Sequence, residues 1–209
     1  MARTLLSPGL SHHLQRTSFI VLLALAVLGL TSCGVNEIPT LDEQVKSNWS
    51  QVENQYQRRA DLIPNLVETV KGYAAQEQET LIAVTEARAK VSSMQVDANL
   101  INDPAALQQF QDAQSQLTGA LSRLMVVVEM YPDLKSNQNF LALQSQLEGT
   151  ENRITVARRD YIQAVQTYNT ELRTFPGRLW HMILYSDLPI RPTFEATAEN
   201  AEQAPKVQF

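Results

Sequence analysis

The chain has 209 residues, with 17 Lys and Arg against 22 Asp and Glu, one cysteine, seven glycines and nine prolines. A domain usually holds about 100–200 residues, so this length fits one folded domain with extensions. Hydrophobic residues at 44% and charged residues at 19% belong to a globular chain rather than a disordered one. A net charge of −5 lacks the basic face that a general nucleic-acid binder needs. One cysteine excludes an internal disulfide framework and a Cys-rich zinc site.

The N-terminus has the layout of an export signal. Arg3 and Arg16 make it basic, and no acid occurs before Glu37. Phe19 to Leu30 is apolar apart from one glycine, and its twelve residues would reach roughly 18 Å as a helix, well short of a ~30 Å hydrocarbon core. This favours a signal-peptide core over a spanning helix. Leu30-Thr31-Ser32-Cys33-Gly34 follows and resembles a bacterial lipoprotein box, in which the cysteine is acylated and becomes the first mature residue. The expected organisation is a signal peptide at 1–32, a lipidated Cys33 with a tether to residue 39, a helical body at 40–185 and an extended tail at 186–209. A membrane-spanning helix in place of the lipid is the alternative anchor. Without residues 1–32 the chain keeps 15 of its 17 basic residues and all 22 acids, so the anchor rather than the body must hold the membrane.

Glycine and proline are sparse between Cys33 and Phe175, no Asn-Gly or Asp-Gly hairpin turn occurs, and strict alternation is absent, so the chain reads as all-α. The first helix is expected from Thr40, with Glu43 completing a capping box. Leu41, Val45, Trp49, Val52 and Tyr56 form its stripe, continued by Ile63, Leu66, Val70 and Tyr73 and then Leu81, Val84 and Val91. Pro64 is expected to kink or split it. Asp103-Pro104 opens a second helix carrying Leu107, Phe110, Leu117, Leu121, Leu124 and Val128, a seam interrupted by Gln114. Pro132 stops it. A third runs from about Ser136, with Phe140, Ile154, Tyr161, Val165, Tyr168, Leu172 and Phe175 on one face, and Pro176-Gly177 ends it. Arg178 to Tyr185 can close the structure as a short helix. The expected fold is an up-and-down bundle of three long helices, or of four if the first folds back at Pro64.

Few residues suggest chemistry. His181 is the one histidine beyond the N-terminal segment, and no serine-hydrolase or P-loop signature is present. No metal, cofactor or catalytic group is expected. The polar anomaly is a set of charges beside the apolar stripe: Arg58, Asp61 and Asn65 on the first helix, and Glu151 and Arg158 on the third. If the two helices run parallel, these groups meet at similar height. A half-buried ionic network would fix helix register; the competing reading is a ligand pocket.

The stretch Arg58-Arg-Ala-Asp-Leu-Ile-Pro-Asn-Leu-Val-Glu-Thr-Val-Lys-Gly-Tyr73 resembles the hallmark segment of the LemA family. Similar blocks are Tyr131-Pro132-Asp133-Leu134-Lys135, Glu151-Asn152-Arg153-Ile154, Ala157-Arg158-Arg159-Asp160-Tyr161, Tyr168-Asn169 and Phe194-Glu195-Ala196. The resemblance implies a long-helix bundle tethered to a bacterial membrane, with no agreed enzymatic activity. Two features depart from the family pattern: a short signal with Cys33 stands where a transmembrane helix is usual, and Ile162 stands where asparagine is usual. The resulting expectation is a non-catalytic scaffold or adaptor of the cell envelope. Its partners would be the membrane and other envelope proteins, contacted through the Trp180 segment, the tail and the outer helix faces. The alternative is a binding module for a small ligand, lipid or envelope polymer, using the polar cluster near Arg58 and Arg158.

Overall fold

Helix α1 opens at Glu37 and runs unbroken to Lys71 in the computed structural model, which describes residues 34–94 and 100–194 together with Ser18. The start lies three residues before Thr40. Pro39 then falls in the first turn, where an amide hydrogen has no helical partner to lose. Thr40 is not the cap; its hydroxyl donates to the Asn36 carbonyl at 2.7 Å from inside the helix.

Pro64 neither splits α1 nor ends it. A proline inside a helix deprives the carbonyl four residues earlier of its donor, here that of Ala60. Arg88 Nε donates to the Ala60 oxygen at 2.9 Å and satisfies it from the neighbouring helix. The reversal expected at Pro64 comes eight residues later, at 72–77, after which α2 (Gln78–Ser92) packs back against α1.

A 3-10 turn at Leu100–Asn102 leads into α3 (Pro104–Val128), whose cap is Asp103, its carboxylate accepting from the amides of Ala105 and Ala106 at 2.9 and 3.3 Å. A single turn, α4 (Pro132–Lys135), precedes α5 (Gln138–Arg173), where Asn137 caps with its side-chain oxygen on the amides of Asn139 and Phe140. The short α6 (Gly177–Leu184) closes the helical part. No strand occurs among the described residues.

Helices α1 and α5 lie along each other over their length and run antiparallel: Asn48 meets Asp160, Arg59 meets Glu151, and Tyr73 meets Asn137. At 35 and 36 residues, each extends roughly 50 Å. The condition under which the two polar clusters were to meet, parallel helices, does not hold: one chain reversal more separates α1 from α5 than in a three-helix bundle, as in the four-helix alternative.

Two apolar cores succeed one another along this axis. Near the chain's entry, Trp49, Tyr56, Phe110, Tyr161 and Phe194 form an aromatic group with centroids 5.1–6.0 Å apart, mostly edge-on. Toward the 72–77 turn, Ile63, Leu66, Val70, Val84, Leu117 and Leu124 take over. After a turn closed by the Leu188 amide on the Tyr185 carbonyl at 3.0 Å, residues 188–194 lie extended and fastened along the bundle. Tyr168 and Tyr161 donate to the carbonyls of Pro189 and Pro192, both at 3.0 Å, and Phe194 plugs the aromatic group. Phe175, expected on the inner face of the last long helix, is 86% exposed, because α5 ends two residues before it. Residues 1–17, 19–33 and 195–209, including Cys33 and most of the expected signal and tail, lie outside the described residues.

Candidate functional site

The apolar stripe of α1 is interrupted twice, at Asp42 and Arg59, and both side chains are almost fully buried. Arg59 Nη1 donates to Glu151 Oε2 at 2.9 Å and to Thr118 Oγ1 at 3.2 Å. Its Nη2 donates to both oxygens of Gln114, side-chain and backbone. The guanidinium also sits 5.2 Å from the centre of the Tyr56 ring. Gln114, which breaks the α3 seam, is thus the polar lining opposite an arginine. Arg59 Nε and Gln114 Nε2 are buried without partners.

Of the residues expected to form this cluster, Glu151 bonds Arg59, and Arg158 lines the same hollow without pairing with either. Arg58, Asp61 and Asn65 lie on the exposed side of α1, where Asp61 accepts from Gln57 at 2.8 Å. Arg158 is half-buried, its guanidinium 4.4 Å from the centre of the Phe194 ring. Helical geometry explains the displacement: 59, not 58, continues the inward series 52, 56, 63 and 66.

Beside Arg59, between α3 and α5, lies a groove of ≈ 260 Å³, with Leu121, Met125 and Leu147 among its apolar walls and Glu151 also lining it. A contiguous hollow of ≈ 200 Å³ continues along Gln111, Gln114 and Arg158. No group of three metal-ligating side chains occurs among the described residues.

The second buried network shows in the sequence only as Asp42 within the inward series of α1. Arg191, from the extended segment, donates through Nη2 and Nε to Asp42 Oδ1 at 2.6 and 3.2 Å. Lys46 reaches Asp42 Oδ2 at 2.9 Å. Asn169 holds the Arg191 backbone on both sides, accepting from its amide at 3.0 Å and donating to its carbonyl at 2.8 Å. Burial pushes the Asp42 carboxyl up, but hydrogen bonds from Arg191 and Lys46 outweigh it and hold the group below its ordinary value. Burial likewise pushes the Tyr168 phenol up to about 12, and raises Tyr161 strongly.

The sequence profile of the LemA family matches residues 48–209. The chain belongs to the LemA family. Two curated relatives are Magnetosome protein MamQ 1 and Magnetosome protein MamQ 2 of Paramagnetospirillum magneticum (strain ATCC 700264 / AMB-1). Each is 26% identical over 181 residues, a span of 79% of this chain and 65% of the relative. The chain therefore covers less than two thirds of the length of these relatives. Membership of the LemA family and these relatives point to a membrane-associated envelope protein. Within the LemA hallmark stretch 58–73, the structure assigns roles to particular residues: Arg59 cross-links three helices, and Pro64 leaves the Ala60 carbonyl for Arg88. No described helix is long and apolar enough to cross a membrane.

Proposed function

We propose that this LemA-family chain is a membrane-tethered, non-catalytic scaffold of the bacterial cell envelope that acts through protein contacts. The observation that carries the reading is the use of its buried charges. Arg59 is tied to Glu151, Gln114 and Thr118, and Arg191 to Asp42, so each charge joins elements distant in sequence. The Arg191–Asp42 pair is buried on both sides, and Arg59 is buried while Glu151 stays about half exposed; such groups add little net stability over an apolar core, and we read them here as setting helix register. His181 is occupied similarly, its Nε2 2.9 Å from the Leu188 carbonyl. The long helices meanwhile present isolated apolar side chains outward, among them Val126, Val156 and Ile162.

The tether is the N-terminal segment, with a lipid on Cys33 as the proposed anchor; intact-mass measurement of the membrane-extracted protein should show cleavage before Cys33 and an acylated cysteine. A photo-crosslinker at Val126, Val156 or Ile162, activated in the host's own membranes, should give discrete adducts with particular envelope proteins. Absence of any adduct from all three positions would remove the scaffold reading.

One observation favours a second reading. The groove beside Arg59 is mostly apolar; Arg59, whose Nε is buried without a partner, lines it, and Gln114, whose Nε2 is likewise unpartnered, lines the adjoining hollow, as suits a pocket for an anionic amphiphile. Copurifying lipid or polymer, lost on Arg59→Met, would support it.

A further inference from the structure

Helix α6 presents its apolar side outward. Leu179, Met182 and Ile183, spaced i, i+3, i+4, form one stripe, and they are 41%, 66% and 61% exposed. Leu184 adjoins them at 52% exposed, and Phe175 precedes the helix at 86%. Gly177 is buried on the opposite side, with Trp180 and His181 half-buried. This orientation is fixed by the packing. A Cβ on Gly177 would lie 2.2 Å from the Glu171 carbonyl oxygen, so α6 sits against the end of α5 as closely as backbone allows. His181 Nε2 is held 2.9 Å from the Leu188 carbonyl.

The chain enters the bundle at the same place. Gly34 lies against α6: a Cβ there would be 3.7 Å from Pro176 Cγ and 4.0 Å from Trp180 Nε1. Cys33 is the adjacent residue, and the apolar run Phe19–Leu30 ends four residues before Gly34, at most about 14 Å of extended chain. Whether the N-terminal segment holds the bilayer by a lipid or by insertion, it brings the lipid surface to this end of the bundle. The described starts of α1 and α6 and the end of α5 gather here, while the 72–77 turn lies a helix length away.

We propose that the α6 end is a membrane-docking surface: Phe175, Leu179, Met182, Ile183 and Leu184 enter the boundary between headgroups and acyl chains and hold the bundle end-on to the bilayer. This rests on the membrane-tethered reading above and adds an orientation to it. An exposed apolar stripe of this kind binds interfaces weakly alone, but a tether only residues away keeps it at high local concentration. The sequence Gly177–Leu184 carries Arg178 and no acid, which suits anionic headgroups.

The test uses the full chain, extracted from membranes and reconstituted into phosphatidylcholine–phosphatidylglycerol vesicles with brominated acyl chains. Two variants each add one tryptophan at an exposed apolar position, Met182→Trp on α6 and Ile82→Trp on α2, the latter 54% exposed in the native chain. Met182→Trp should add blue-shifted emission that bromine quenches, and Ile82→Trp should add red-shifted emission that it does not. Adding Leu179→Glu and Ile183→Glu to Met182→Trp should abolish the extra quenching while the chain still floats with the vesicles. Flotation with no extra quenching at position 182 would overturn docking and leave the membrane reading intact. Blue-shifted but unquenched emission would mean that a second copy or another protein covers this end, which also overturns it. A chain that fails to float would overturn both.

Discussion

Replacing Asp42 by leucine removes the carboxylate that pairs with Arg191 while roughly conserving volume. Asp42 is 3% and Arg191 5% exposed, so the guanidinium would be left buried with the Tyr168 ring, 5.9 Å from its centre, and no paired anion among the described residues. Removing one member of a buried pair costs about 3–5 kcal/mol, a fifth or more of the roughly 5–15 kcal/mol stability of a typical domain. With a urea dependence of about 2 kcal/mol per molar, the unfolding midpoint should fall by roughly 2 M. Arg191→Leu should cost less, because Asp42 keeps Lys46 at 2.9 Å, and that ammonium is partly solvated. The double variant Asp42→Leu/Arg191→Leu should return to within about 1–2 kcal/mol of the native protein, because it leaves no orphaned charge. Urea unfolding followed by circular dichroism and tryptophan emission reads all three. A cost under about 1 kcal/mol for Asp42→Leu, or a double variant as unstable as the two singles added, would refute the assignment of the pair as a buried fastener.

The same pair sets an acid limit. Because Asp42 titrates below its ordinary 3.8 when folded, the unfolded chain binds more protons across the window between the two values. Its contribution is therefore complete above that ordinary value and is lost as pH falls through the lowered one. Asp42→Asn should flatten that part of an acid-unfolding curve. Arg88→Met should cost about 1–3 kcal/mol by orphaning the Ala60 carbonyl. It should cost less in a Pro64→Ala background, where the helix again supplies an amide to that oxygen; equal costs in both backgrounds would refute the proposed coupling.

Apolar spacing alone made the helices and most of their inward faces legible. Trp49, Val52, Ile63, Leu117, Tyr161 and Tyr168 all face the core as their periodicity requires. Asp103 and Pro176-Gly177 marked boundaries through local chemistry that tertiary packing had no reason to override. Pro64 misled because the partner that rescues it, Arg88, lies 24 positions away on a helix whose packing no local rule specifies. The Arg59 site was half legible: Gln114 stood out as a break in the α3 seam, but nothing local in the sequence paired it with Arg59. Attention to residues beside the stripe selected Arg58, although the inward series passes through 59. Asp42 also breaks the stripe, but Arg191 lies in a proline-rich segment without periodicity, so nothing local reveals that the two meet. The outward stripe of α6 is likewise invisible in sequence, where an amphipathic helix looks the same whichever way it faces.

The most direct test of the central claim, that the buried polar groups fasten the bundle and the outer faces do the work, is photo-crosslinking in host membranes from Val126, Val156 and Ile162 in a chain carrying Arg59→Met, Gln114→Leu and Glu151→Met. With helical content and melting temperature retained, the adducts should match those of the native chain. Loss of the adducts from a chain that is still folded would contradict the claim and transfer function to the groove around Arg59.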